Sequence, residues 1–109
     1  MKLTFVYLPL FERTAEGVLG DEEMQAVEQQ LLDNPRAGDV EAGTGGVRKL
    51  RVALPGRGKS GSARLIYLYI GARGKIYFIM VYPKSRKASL TDAEKKAVRA
   101  LVKQLKEEP

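Results

Sequence analysis

Lys49 and Arg51, two residues apart in a run of strand-forming residues, are followed by Arg64 and Lys84 as the side chains best suited to handle a polyanion. Arginine keeps its proton in practice, so Arg51 and Arg64 suit the stabilisation of charge developing on phosphoryl oxygens. A crowd of like charges disfavours a lysine's protonated form, which makes Lys49 or Lys84 a candidate for proton transfer. Tyr67, Tyr69, Tyr77 and Tyr82 are available to stack on bases, although tyrosines on strands commonly serve packing. The chain has no histidine and no cysteine, which removes the commonest general base, the commonest metal ligand, thiolate ligands and disulfides. Catalysis, if present, falls to Lys, Arg, Tyr, Ser or a carboxylate, and neither a metal nor a cofactor is expected.

The charge around these residues is segregated. Ala42 through Thr91 contains no Asp or Glu but eleven Lys and Arg residues, while the preceding 41 residues hold nine acids against three cations. A solvated face of no special function mixes its signs, so a polyanionic partner is the first to consider. At 109 residues the chain is expected to form one domain, residues 1–109, with a modest core. No apolar run approaches the ~18 residues of a membrane span, and Glu12 soon follows the short apolar amino terminus, which reads as a strand and not a signal peptide. A cytoplasmic protein with no membrane association is expected.

The elements that must position the cations follow from periodicity. Residues 3–8 alternate with β-branched and aromatic content and are closed by Pro9, which suits a strand. Residues 11–19 form a short helix candidate. Asp21 reads as the N-cap of a stronger helix whose Met24, Val27, Leu31 and Leu32 share a face and which Asn34-Pro35 stops. The glycine-rich loop ending in GTGG at 43–46 suits mobility or positive φ. Residues 47–54 make a strand with Leu50, Val52 and Leu54 on one face and Lys49 and Arg51 on the other. Residues 63–70 and 75–82 are two further strands joined through a turn at 71–74, giving an antiparallel meander. Arg64 shares its parity with Ile66, Leu68 and Ile70, so a cation without an acid nearby in sequence starts from an apolar face. Thr91 and Glu94 fit a capping box opening a last helix with its stripe at Ala97, Val98, Leu101, Val102 and Leu105. The fold class is α+β, with helices packed on an antiparallel sheet.

Ala53 through Ser60 satisfies a loose phosphate-loop pattern, but a helix must start at Lys59 for that chemistry, and a β pattern follows instead. The same loop reads better as a basic finger, with Arg57 and Lys59 free to meet phosphates.

The sequence resembles the RelE/ParE superfamily of type II bacterial toxins, most closely the HigB-type branch of RelE-like mRNA interferases. The carrying residues are Asn34-Pro35 with Gly38-Asp39-Val40, GTGGVRKLRVA at 43–53, GRGKSGSARLIYLY at 56–69 and IYFIMVYPKS at 76–85. The resemblance implies two amino-terminal helices on a curved antiparallel sheet in the order β-α-α-β-β-β, with a carboxyl-terminal helix. It implies a toxin that cleaves mRNA in the ribosomal A site by metal-independent attack of the 2′-OH, neutralised by a small antitoxin expected to carry a helix-turn-helix domain. On this basis Lys49 and Arg51 match the family's basic pair, Arg64 its arginine on the next strand, and Lys84 or Arg86 its basic position after the last strand. Some members place a catalytic tyrosine near the carboxyl terminus. No tyrosine follows Tyr82 here, which leaves Tyr82 or a lysine for that role. Arg48, Arg57, Lys59, Arg73, Lys75, Arg86 and Lys87 are the expected RNA and ribosome contacts. A gyrase-binding toxin without nuclease activity, or a plain RNA- or ribosome-binding protein, are the rival readings.

Overall fold

A computed structural model describes residues 2–54 and 61–108. Its elements are β1 (Thr4–Tyr7), α1 (Pro9–Ala15), α2 (Asp21–Asp33), β2 (Asp39–Val40), β3 (Arg48–Ala53), β4 (Ser62–Ile70), β5 (Lys75–Pro83) and α3 (Asp92–Glu107). The strands form one sheet in the order β1-β5-β4-β3-β2. The meander β3-β4-β5 is antiparallel, as its short connections require, and β2 adds antiparallel to β3. β1 is the exception to an antiparallel sheet, because it runs parallel to β5 with Phe5 opposite Ile76 and Tyr7 opposite Phe78. A chain that leaves β1 through two helices before building the meander returns to the far edge from either direction, so sequence order does not dictate this orientation.

Two details at the amino end differ from the periodicity reading. Pro9 opens α1 instead of merely closing β1, since its fixed φ and missing N–H suit the first helical position. The N-cap of α2 is Gly20, and Asp21 is the first helical residue; the Glu23 carboxylate reaches back to accept from the Gly20 N–H at 2.7 Å. The capping box of α3 forms as its sequence dictates, with Thr91 Oγ1 accepting from the Glu94 N–H at 3.1 Å and Glu94 from the Thr91 N–H at 2.9 Å.

Both faces of the sheet are covered. On one, Leu50, Val52, Leu65, Tyr67, Ile76, Phe78 and Val81 pack with Phe11, Val27 and Leu31 of α1 and α2. On the other, Val47, Ile66, Leu68, Tyr77, Ile79, Met80 and Tyr82 pack with Leu90 and with Val98, Val102 and Leu105 of α3. Along β5 the side-chain alternation breaks once. Tyr67 pairs with Phe78 and Ile66 with Met80, so Ile79 is an extra residue, a β-bulge. Ile79 and Met80 consequently both face α3, and everything after them changes sides. Tyr82, which strict alternation from Phe78 assigns to the α1/α2 face, lies on the α3 face.

The motifs that carry the resemblance have structural causes. Gly38 is buried where a Cβ would sit 2.9 Å from the Lys49 carbonyl oxygen and 3.0 Å from the Tyr67 ring, so only glycine lets the chain leaving α2 lie against the sheet. The fully buried Tyr67 fastens that chain, its hydroxyl donating to the Pro35 carbonyl at 2.8 Å and accepting from the Gly38 N–H at 3.0 Å. At the β4–β5 turn, Gly74 takes φ +61°, and its missing Cβ makes room for the Lys2 carbonyl. The GTGG loop adopts positive φ at Gly43, Gly45 and Gly46 and is tied to α3, with Arg99 donating to the Gly43 carbonyl at 3.3 Å and Lys106 to the Gly45 carbonyl at 2.9 Å.

Arg73 closes α3 from the turn preceding β5. Its guanidinium donates to the carbonyls of Leu105, Lys106 and Glu108, each at 2.6 Å. These are the acceptors that a helix end leaves unsatisfied, and a cation there also opposes the negative end of the dipole. Arg73→Ala is expected to cost about 1–2 kcal/mol. Hydrogen exchange should show the loss concentrated in the last turn of α3, and uniform loosening of the sheet would contradict this anchoring role.

Candidate active site

Lys49, Arg51 and Arg64 lie on the face of the sheet that α3 packs against. Arg51 is directly opposite Arg64, and Arg64 directly opposite Tyr82, so the three make one row across β3, β4 and β5. Lys49 is one row along, on the same face, opposite Ile66. Neighbours in such a row have Cβ atoms about 4.5–5.5 Å apart, and two like charges placed opposite destabilise a sheet. The Arg51–Arg64 pair thus carries a like-charge cost, one that an anion bound between the two would offset.

Arg64 is partly buried and oriented. One Nη donates to Ser62 Oγ at 3.1 Å and to the Ala63 carbonyl at 3.3 Å, and among the described residues neither Arg64 nor Arg51 forms an ion pair. Tyr82 is 3% exposed, and its hydroxyl is the one buried side-chain polar atom without a hydrogen-bond partner among the described residues. Burial pushes its phenol above the ordinary range, Glu41 adds to the shift, Arg64 opposes it and Glu94 adds a little more. A phenol raised in this way stays protonated at neutral pH, so Tyr82 suits proton donation and not the role of base.

The acid-free stretch proves to be supplied with acids from its two flanks. Glu41, the residue immediately before it, pairs with Lys49 at 3.1 Å. Glu94, three residues after Thr91, pairs with Lys87, whose Nζ lies over the Tyr82 ring, 4.8 Å from its centre. Lys87 and the Thr91 N–H hold the Glu94 carboxyl below its usual value, Lys87 contributing most. Glu41 and Glu94 are the site residues that sequence reasoning missed. Glu41 was findable only as the last acid before the glycine turn, and Glu94 was recognised as a helix cap without its second contact.

The other candidates divide. Lys84 and Arg86 are exposed in the segment directly after β5, at the Tyr82 end, with the Lys84 N–H bonded to the Ser62 carbonyl at 2.9 Å. Arg57 and Lys59 lie outside the described residues, while Ser62 onward is strand, which leaves no helix for a phosphate loop. Three of the expected RNA contacts lie away from this row. Arg48 pairs with Tyr67 on the opposite face and donates to the carbonyls of Gly38 at 2.7 Å and Arg36 at 3.3 Å. Arg73 is committed to α3, and Lys75 opens β5, seven residues and thus about 23 Å from Tyr82. The tyrosines proposed for stacking are mostly core: Tyr67, Tyr77 and Tyr82 are at most 3% exposed, and Tyr69 is half-buried beneath Arg36.

Among the described residues no strand pairs with the outer edge of β5 beyond Phe78, and Thr14 of α1 accepts from the Val81 N–H there at 3.1 Å. A cleft of about 630 Å³ follows this edge between α1 and α3, reaching Leu10, Arg13, Met80, Tyr82, Arg86 and Lys87. It adjoins the row of cations and is wide enough to admit part of a substrate.

The family description "RelE toxin of RelE / RelB toxin-antitoxin system" matches this chain over residues 6–108. The chain belongs to the RelE toxin family. Among solved structures, it is similar to a double arginine-to-alanine variant of the E. coli toxin RelE in the free state, at 17% identity and a TM-score of 0.54. That match covers 94% of this chain and 98% of the other. At this identity the likeness to RelE is one of fold, and the roles of individual side chains rest on the geometry above. Among the described residues of this RelE-family chain, no helix is long and apolar enough to cross a membrane.

Proposed function

We propose that this RelE-family toxin is a ribosome-dependent mRNA endoribonuclease of the HigB-type branch, acting in the cytoplasm as a single toxin domain of residues 1–109. The observation that carries the reading is the row Arg51–Arg64–Tyr82 with Lys49 beside it, cations on an otherwise apolar sheet face. In the reaction the 2′-OH of the message attacks the adjacent phosphorus and gives up its proton to solvent, the bond to the 5′ oxygen breaks and that oxygen takes up a proton, and the products are a cyclic 2′,3′-phosphate and a free 5′-OH. Arg64 and Arg51 stabilise the negative charge that builds on the phosphoryl oxygens. Tyr82, protonated and beside Arg64, gives a proton to the departing 5′ oxygen once the substrate displaces Lys87 from its ring. Lys84 and Arg86 hold the flanking phosphates, together with Lys87 after its release.

The site holds no histidine, and its carboxylates are paired with lysines, so a strong unassisted base is missing. The ribosome supplies the deficit by fixing the 2′-OH in line with the phosphorus, and each tenfold in rate gained this way lowers the barrier by about 1.4 kcal/mol. The partner that silences the toxin is a small helix-turn-helix antitoxin whose acidic flexible segment covers the basic row.

Induction of the protein in bacteria, followed by mapping of new mRNA 5′ ends, tests the reading. In-frame cuts confined to translated messages are expected, with naked RNA cut poorly by the purified protein. DNA damage with intact mRNA selects a gyrase-binding toxin instead. Equal rates on free RNA and on ribosomes overturn the ribosome dependence.

A further inference from the structure

We infer that Glu41 is a positioning residue of this site, fixing the Lys49 ammonium on the sheet face while offsetting its charge; the inference rests on the nuclease reading above. Lysine carries its charge on a flexible four-carbon stem, and on this face its neighbours repel it. Arg51 projects from the same face two residues on, about 6.6 Å along the strand, and Arg64 is its diagonal neighbour on β4, about 7–8 Å away. Left to these two, the ammonium would swing out into water. Glu41 holds it from the opposite side at 3.1 Å, in a pair whose side chains are 27% and 17% exposed.

The carboxylate is itself well placed. The Glu41 N–H donates to the Val47 carbonyl at 2.9 Å, and its own carbonyl accepts from Thr44 Oγ1 at 2.6 Å, with Thr44 fully buried. The glycine turn that follows is tied to α3 by Arg99 and Lys106, so the backbone beneath Glu41 is held by the sheet on one side and by α3 on the other. A surface ion pair between two mobile side chains contributes little, whereas one anchored in this way pre-organises a charge for a transition state. The turn's position next to β3 therefore has a catalytic consequence as well as a structural one.

Glu41→Gln keeps the shape and backbone bonds and removes the charge. On translating ribosomes kcat is expected to fall about 10- to 100-fold with KM unchanged or lower, since the freed lysine still meets phosphate but no longer in a fixed place. Glu41→Asp should recover part of the loss. In a Lys49→Ala background, Glu41→Gln should add nothing, because it acts through Lys49. Wild-type kcat in Glu41→Gln, an undiminished further loss in the double variant, or a fall explained wholly by a lowered melting temperature would each overturn the proposal. Wild-type protein that leaves mRNA intact on ribosomes overturns the nuclease reading separately. In that case, nitrogen-15 relaxation of the Lys49 ammonium still decides the contact: slower Nζ motion than in Glu41→Gln supports it, and equal motion refutes it.

Discussion

Replacing Arg64 with alanine is expected to lower mRNA cleavage on ribosomes by about 10²- to 10³-fold and to abolish growth inhibition, with the melting temperature unchanged or slightly raised. The two halves of this expectation come from the same geometry. Arg64 is central in the row, between Arg51 and Tyr82, and two hydrogen bonds to Ser62 and Ala63 aim its guanidinium before any substrate arrives. Removing a pre-aimed donor from a developing oxyanion typically costs about 2.7–4 kcal/mol of transition-state stabilisation. Removing the same charge from the folded protein relieves its repulsion with Arg51, about 0.2–1 kcal/mol in favour of folding. Arg64→Lys should retain less activity than charge alone implies, because a single ammonium cannot reproduce the planar fork. Cleavage assays and thermal melts on the same preparations separate the effects. A fully toxic Arg64→Ala protein would show the residue idle, and an unfolded one would show it structural.

Phe78→Ala is expected to be the most damaging core substitution, destabilising the protein by about 3–5 kcal/mol in urea titrations. The ring is fully buried and sits at the junction of β1, α1 and β5. Its centre is 5.6 Å from Phe5, 5.1 Å from Tyr7 and 5.2 Å from Phe11, the last two edge-on. Strand β1 is only four residues long and pairs with β5 alone, so much of what holds it is this contact. Losing the ring should free β1 and α1 together, visible as early hydrogen exchange at Phe5 and Val6. A loss under about 1 kcal/mol would mean that neighbouring side chains refill the space and that the junction is less rigid than the ring geometry implies.

Much of this architecture was legible because it rests on local periodicity. Leu50, Val52 and Leu54 against Lys49 and Arg51, the Arg64 parity and the Thr91–Glu94 cap each need only a few consecutive residues to be read. What escaped depends on contacts distant in the chain. The parallel pairing of β1 joins Thr4 to Lys75, and the Arg73 clamp joins residue 73 to residue 105 and beyond. Glu41 escaped for a related reason. A count of charges treats the acid-free stretch as unbalanced, while a four-residue turn is enough to set an acid from its border beside Lys49. Tyr82 was singled out by type and position, but its side of the sheet was not readable from alternation.

That last point bears on how the tyrosines of related chains should be compared. Because Ile79 is an unpaired residue in β5, a relative with a straight last strand has its spatial counterpart of Tyr82 one residue nearer to the counterpart of Phe78. An alignment without a gap would match Tyr82 to a residue pointing into the other core and would report the aromatic hydroxyl as lost where it is retained. The same reasoning lets β5 lose this one unpaired residue, but none after it, without a change of face at Tyr82. Deleting Ile79 would leave Met80, Val81 and Tyr82 opposite Ile66, Leu65 and Arg64 in a straightened strand, whereas deleting Val81 would turn Tyr82 away from Arg64 and toward the face of Val27 and Leu31, emptying the row of its hydroxyl.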